Sequence, residues 1–475
     1  MTATILISLS PLILLSASII IVMLTIAFYR NHLLTALLAS GGILLTGISL
    51  VWAENNAPHQ VTDLIIVDKY ALFLIGLLLA ANLVIVFFSY LYLQKQSGNR
   101  EEFYLLLLLA LLGSMVLVES THFASFFLGL EILSVSLYGL IAYPRVQAHS
   151  IEAGLKYLIL AAASASFLVF GMGLIYADQG TMVFNQLSIA QTGTIPSVLM
   201  LAGLGLIIVG LGYKLALVPF HMWAADVYQG APAMVTAFIA TISKGAVFAL
   251  LLRLFRAVEL DASPALFLVF VIIAILSMLG GNLLALRQDN VKRILAYSSI
   301  AHLGYLLVAF LAGGSQGTSA AIFYLVVYFV TTLGAFAVVA LLSGSERDAD
   351  RIEDYTSLYW RKPWLAAIMT ANLLSLAGIP LTAGFAGKFY LLMAGIGAAA
   401  WVLAITLVVS SAIGLYYYLR IIVAMFQPLP EEGVQQTPTA YLPLAGSLAL
   451  AVLLAVMVWL GIYPTPLIDW ILSLA

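Results

Sequence analysis

Five charged side chains stand in stretches of this sequence that are otherwise apolar. Glu131 lies in HFASFFLGLEILSVSLYGLIAY, Lys214 in LGLIIVGLGYKLALVPFHMW, Lys244 in VTAFIATISKGAVFALLL and Lys388 in SLAGIPLTAGFAGKFYLL. Lys156 follows Glu152 by four positions, one helical turn, so part of its charge can be met locally. A lysine at bilayer depth costs about 2.5–3.5 kcal/mol even on the gentler insertion scale. Desolvation favours the neutral amine, whereas a nearby carboxylate favours the ammonium. Together the two make a group able to gain and lose a proton near neutral pH, which arginine effectively cannot do. All four intramembrane cations here are lysine, as a proton path requires. The plainer alternative is that they are ion pairs fixing helix register, or lysines snorkelling to an interface. That alternative fits Lys156, near a helix start, better than it fits Lys214, Lys244 and Lys388.

Two of these helices carry breakers. Pro219 comes five residues after Lys214 and removes a backbone donor, exposing a carbonyl one turn back. Pro380, flanked by Gly378 and Gly384, does the same eight residues before Lys388. Paired interruptions in equivalent halves of a membrane chain mark the sites of inverted-repeat transporters. His221 and His302 are candidate accessory relays, since imidazole titrates near neutrality; each also fits a hydrogen-bonded packing role. Tyr416, Tyr417 and Tyr418 read as interfacial or packing aromatics.

The elements that must hold these groups are set by composition. Hydrophobic residues make up 63% of the 475 and charged residues 8%, against roughly a quarter charged in a soluble domain. The apolar runs are continuous, which reads as helices and not as alternating barrel strands. Fourteen runs have spanning length, near 5–28, 32–52, 67–92, 103–119, 123–143, 151–177, 196–218, 232–256, 264–286, 294–312, 319–343, 363–395, 398–426 and 441–470. The first is expected to be a retained helix, because it lacks a basic leader and a cleavage site. Odd-numbered loops hold twelve Lys and Arg, among them Arg30, Arg145 and Arg420, and even-numbered loops hold three, Lys69, Arg253 and Arg256. By the positive-inside rule both termini are then periplasmic. The longest polar segment, 343–363, is cytoplasmic on the same count and reads as a solvated connector. The fold expected is an all-α polytopic membrane protein. Residues 1–102 form an N-terminal three-helix segment and 441–475 a last transmembrane helix. Between them lie two inverted five-helix repeats, helices 4–8 (103–257) and 9–13 (264–428), each with a broken helix in fourth place.

Several chemistries are excluded. The chain has no cysteine, so disulfides, thiolate-held zinc and iron–sulfur clusters are ruled out. The net charge of −2 with no basic cluster gives no nucleic-acid partner. Gly203, Gly205, Gly210 and Gly212 have no strand before them, so they suit close helix packing and not a dinucleotide loop. No metal-binding motif occurs.

The segments GLEILS around Glu131, YKLALVPFHMWAADVYQGAP from Tyr213, SKGAVF around Lys244, KRILAYSSIAHLGY from Lys292 and SLAGIPLTAGFAGKFY from Ser375 resemble the antiporter-like membrane subunits of respiratory complex I. The likeness covers nearly the whole chain. SIEAGLKYLILAAASASF with Lys156, the lysine at 388 and the end after helix 14 are most similar to one of the three paralogous types. The resemblance implies that Glu131 pairs with Lys214, that Lys244 is central, and that Lys388 faces an outlet half-channel. It implies no cofactor in this subunit, with NADH, flavin, iron–sulfur clusters and quinone handled by other subunits. The implied partners are other membrane-arm subunits, including paralogous antiporter-like ones, together with the lipid bilayer and protons. The alternative is a subunit of a multi-subunit cation/proton antiporter, which shares the same module.

Overall fold

The computed structural model describes residues 3–96, 98–144, 148–187, 197–259, 263–428 and 444–474. Arg145, the start of the last run at 441–443 and Ala475 lie outside the described residues. Among the described residues, thirteen helices are long and apolar enough to cross a bilayer. The two shorter apolar helices Pro363–Ala377 and Ala383–Gly397 together supply the remaining crossing, the twelfth in chain order. Polar side chains mark where crossings begin. Asn31, Asp68, Ser197, Ser263 and Asn290 each accept a backbone N–H of the first turn, satisfying donors that a helix start leaves unpaired.

The centre of the molecule is read from burial. The eighth crossing, Ala233–Ala257, and the tenth, Val291–Ala312, are each 94% buried, whereas the first, Ser10–Phe28, is 28% and the fourteenth, Leu444–Ile462, 22%. The peripheral helices therefore turn most of their apolar surface outward, as lipid-facing helices do. Glycines bring the sixth crossing (Ala148–Gln179) and the seventh (Val198–Leu215) together. A Cβ on Gly203 would stand 2.8 Å from the Gly171 carbonyl oxygen, and one on Gly210 2.1 Å from Leu168. Gly212 is closed by Phe220, while Gly205 faces open space, so three of the four glycines serve packing.

Both expected interruptions are present. The seventh crossing stops at Leu215, where Ala216 takes left-handed dihedrals (φ 57°, ψ 41°), and the chain resumes as Met222–Gly230. In the twelfth, Gly378 (φ 87°) ends the first half, with its N–H and that of Ile379 returning to Leu374, a C-terminal stop of the kind glycine permits. A further departure lies before Lys244, where Ile239–Ser243 forms a π-helical turn.

The structure departs from the sequence reading at two places. His59–Thr62 and Ile65–Val67 pair as a short antiparallel hairpin, a minor β element in an otherwise helical chain. It joins the end of the fourth helix through an Ile65–Ser120 bridge. The 343–363 segment is not simply solvated. Its tip is exposed, but Tyr355 and Leu358 are buried. Asp348 takes a 2.6 Å ion pair from Lys292, with side chains 8% and 1% exposed, and a 2.8 Å hydrogen bond from the Tyr92 hydroxyl. Lys292 also donates to the Ala231 carbonyl at 2.6 Å. This fastens the loop to the third and tenth helices.

Removing one partner of a buried pair strands the other charge, at about 3–5 kcal/mol. Asp348→Ala should therefore lower the thermal unfolding midpoint of the purified protein strongly. The double variant Lys292→Met/Asp348→Leu should recover most of the loss; equal midpoints for the single and double variants would contradict this account.

Candidate functional site

Lys214, Lys244 and Lys388 are 3%, 0% and 8% exposed, and each rests against an aromatic face. The Lys214 ammonium lies 5.3 Å from the Tyr157 ring centre, Lys244 5.4 Å from Tyr228 and Lys388 5.1 Å from Tyr305. Such cation–π contacts favour the cation where water is scarce.

Each lysine also donates to a hydroxyl. Lys214 donates to Ser134 Oγ at 2.6 Å, and the Ser134 hydroxyl in turn donates a hydrogen bond to the Leu130 carbonyl. Glu131 sits on the same helix as Ser134, one turn earlier, and its charge reaches Lys214. No ion pair joins Glu131 and Lys214 among the described residues. In this structure Lys214 hydrogen-bonds the serine, with the half-buried Glu131 carboxylate close enough for its charge to bear on the ammonium. Lys244, just after the π-helical turn, donates to Ser299 Oγ at 2.6 Å, and Ser299 also meets the Tyr228 hydroxyl at 3.2 Å.

Lys388 uses the broken helix directly. It donates to the Leu376 and Ala377 carbonyls, both at 2.9 Å, and to Ser411 Oγ at 2.7 Å. An ammonium has three donors and no acceptor, so this one is fully served. The carbonyls belong to the last turn of Pro363–Ala377, where a helix lacks internal donors and carries its negative dipole end. Gly378 must be small as well as left-handed, since a Cβ there would lie 2.9 Å from Lys388 Cδ.

Between Lys244 and Lys388 the tenth helix presents a polar stripe. Ser298, Ser299, His302 and Tyr305 fall on one face by helical spacing. Ser298 hydrogen-bonds the Tyr418 hydroxyl. His302 Nε2 meets Tyr418 at 3.3 Å, and its Nδ1 meets the Tyr324 hydroxyl at 2.7 Å. Tyr305 shares Asn282 (3.0 Å) and Ser410 (3.4 Å), and Tyr417 donates to Asn282 at 2.9 Å. Exposed Tyr416 fits the interfacial reading, and Tyr417 and Tyr418 are packing residues, buried and hydrogen-bonded inside this polar stripe. Spacing of 298, 299, 302 and 305 on an apolar helix was the available signal for it. His221 lies outside the stripe, half-buried, with Nδ1 lacking a hydrogen-bond partner.

Lys156 belongs to a different setting. It bridges Glu152 and Asp226, both at 2.8 Å, and Asp226 also takes Arg293 at 2.7 Å. Lys156 and Glu152 are 43% and 57% exposed at the side chain, which matches the local ion-pair reading of this lysine. Among the described residues no hydrogen bond links this cluster to Lys214 or Lys214 to Lys244.

The segment holding Lys214, Lys244, Lys388 and both breaks, residues 120–414, matches a sequence family described as NADH:quinone oxidoreductase/Mrp antiporter, transmembrane. The chain belongs to that family. A relative from Methylococcus capsulatus named NADH-quinone oxidoreductase subunit N is 48% identical over 99% of this chain and 95% of its own length. Among solved structures, a chain of respiratory complex I from Thermus thermophilus with bound aureothin is 33% identical, with a TM-score of 0.82 over 97% of this chain and 98% of that one. A chain of the Mrp complex from a Dietzia species has a TM-score of 0.87 over 100% and 97% at 20% identity, a likeness of fold.

Left-handed dihedrals cost an L-residue about 1–2 kcal/mol, and at Gly378 the new methyl also meets Lys388. Gly378→Ala should lower the thermal midpoint of the purified protein clearly. Gly205→Ala, whose Cβ meets nothing within 4 Å, should leave it unchanged. Equal effects of the two would remove the break from this account.

Proposed function

We propose that this chain is a proton-translocating membrane-arm subunit of a bacterial NADH:quinone oxidoreductase, multi-pass in the inner membrane. On this reading quinone reduction elsewhere in the complex drives proton movement through Glu131, Lys214, Lys244 and Lys388. NADH, flavin, iron–sulfur clusters and quinone belong to other subunits, and paralogous antiporter-like chains are its lateral neighbours. The 48% identity to a protein named subunit N supports this assembly over a cation/proton antiporter, because the Mrp likeness is one of fold. Residues 103–257 and 264–428 are proposed as its two inverted repeats.

The observation that carries the mechanism is the choice of partners. Four lysines are removed from solvent; Lys292, in the first turn of its helix, pairs with the Asp348 carboxylate, whereas Lys214, Lys244 and Lys388 each donate to a serine hydroxyl. A hydroxyl can accept from an ammonium and donate to a neutral amine, so it serves both protonation states. A carboxylate serves the charged state alone. A shift of the seventh helix at its break moves Lys214 relative to Ser134 and Glu131, and with them the stability of its proton. The proton then passes toward Lys244 and along the tenth-helix stripe to Lys388, while Lys214 is reloaded from the cytoplasmic side. Lys156, Glu152 and Asp226 organise that side, and His302 with Tyr418 extends the stripe. His221 stays a possible accessory group by position.

Lys214→Arg keeps a permanent charge that cannot cycle, so it should abolish NADH-driven proton pumping almost as fully as Lys214→Ala. Ser134→Ala removes a charge-assisted hydrogen bond of about 1.5–3 kcal/mol and should also slow pumping, with Ser134→Thr close to wild type. The measurement is pumping in membrane vesicles normalised to assembled complex. Near-normal pumping by the arginine variant would leave Lys214 a structural cation.

Orientation is tested separately. Reporter fusions at Ala475 and Asp350 should read periplasmic and cytoplasmic respectively, and a cytoplasmic signal at Ala475 would mean that the crossings do not number fourteen.

A further inference from the structure

A second group of buried charges lies at the opposite end of the eighth helix from the cytoplasmic loops. Arg253 is nine residues beyond Lys244, about 13–14 Å along the axis at 1.5 Å per residue. Its guanidinium grips Asp68 through two bonds, 2.8 and 2.9 Å. Its Nε donates to the Val118 carbonyl at 3.2 Å. The guanidinium stands 5.0 Å over the Tyr70 ring, and Tyr70 in turn donates to the Ala249 carbonyl at 2.9 Å.

Next to Val118, the last residue of the fourth helix is Glu119, 1% exposed. Neither of its carboxyl oxygens has a hydrogen-bond partner. The charges that reach it are Arg253 on the eighth helix and Asp68 at the cap of the third. A buried carboxylate with no donor is among the costliest states a side chain can take. Arg253 stands beside it yet gives its fork to Asp68. If Glu119 were a structural counter-ion, the fork would be expected on Glu119.

Asp68 and Arg253 in turn line a cavity of about 420 Å³, together with Tyr70, Arg256, Ser319 and Ile471. Ser319 is 7% exposed and its hydroxyl, buried in the wall, has no hydrogen-bond partner. The cavity walls come from the ends that the charge count places outside. It therefore opens to the side on which protons are released.

We propose that Glu119 is an outward proton-release carboxyl, switched by Arg253 exchanging between Asp68 and Glu119; this rests on the proton-translocating reading above. With the fork on Asp68, Glu119 keeps its proton and is neutral. When the fork moves to Glu119, the Glu119 O–H bond breaks, the proton passes to the freed Asp68 carboxylate, and the guanidinium pairs with the new Glu119 carboxylate. Asp68 then releases the proton into the cavity, and the fork returns once Glu119 is reprotonated from the membrane interior. Charge and protons balance at every step, with no further reactant.

The test uses the assembled complex. Infrared difference spectra between resting and turning-over enzyme should contain a protonated-carboxyl band that is absent in Glu119→Gln. In membrane vesicles the same variant should lower protons pumped per NADH several-fold, with electron transfer retained. Glu119→Asp keeps a titratable group, so it should keep the band at a shifted position, which also covers failure of the glutamine variant to assemble. Arg253→Lys, which cannot bridge two carboxylates in a fork, should slow pumping. Unchanged pumping in Glu119→Gln, or a band in Glu119→Asp identical to wild type, overturns the proposal. If Lys244→Ala abolishes pumping under the same conditions, the lysine reading survives that failure. If Lys244→Ala is also silent, both fall.

Discussion

An ammonium carries three hydrogen-bond donors and no acceptor, and inside a hydrocarbon slab the protein must provide everything those donors touch. The irregular features at the centre of this molecule follow from that need. A continuous helix cannot help, because its carbonyls are already engaged by the following turn. Breaking the helix frees them. Pro363–Ala377 stops at Gly378, and the two carbonyls released there, with Ser411, satisfy Lys388 completely. Lys214 occupies the last turn of the first half of the other broken helix, again beside a negative dipole end. Lys244 instead follows a π-helical turn, a local change of helical winding that recurs at functional positions.

Those irregularities make demands on their surroundings. A broken helix buries loop backbone at membrane depth, which is tolerated only where protein covers it. The eighth and tenth helices, almost wholly buried, stand at the centre for this reason. Close approach of the helices around them depends on small residues such as Gly203 and Gly384, the latter so close to the Ser375 carbonyl that any side chain would collide. At the start of the tenth helix the Lys292–Asp348 pair fastens a loop that charge and length alone would leave loose.

The crossings were legible in the sequence because each is a continuous apolar run of spanning length, and both breaks were legible because proline and glycine announce them. The burial of Lys214, Lys244 and Lys388 followed from the same runs. What could not be read was the partner of each lysine. Ser134, Ser299 and Ser411 lie 80, 55 and 23 residues from the lysines they serve, and serine is too common in membrane helices to stand out. The π-helical turn left no mark either, since Ile239–Ser243 has the composition of an ordinary helix. Nor could the hydrogen bond of Tyr418 be read, because three consecutive tyrosines point in different directions around a helix and their sequence is silent on which one meets Ser298. Glu119 was passed over because it closes an apolar run, where a carboxylate usually meets water.

Nine of the described cations differ instructively by partner. Arg30, Arg253, Lys292, Arg293, Arg347 and Lys156 each meet a carboxylate, and most of them lie at the ends of the crossings. Lys214, Lys244 and Lys388 meet hydroxyls, and they lie in the core. If the core lysines served only to hold helices together, a carboxylate would be the stronger partner, because charge-assisted pairs exceed neutral hydrogen bonds. A carboxylate would also fix the ammonium in one protonation state. A hydroxyl gives up that extra stability and in exchange tolerates both the ammonium and the amine. On the proposed function, the strong pairs stand where geometry has to persist and the weaker ones where a proton has to leave.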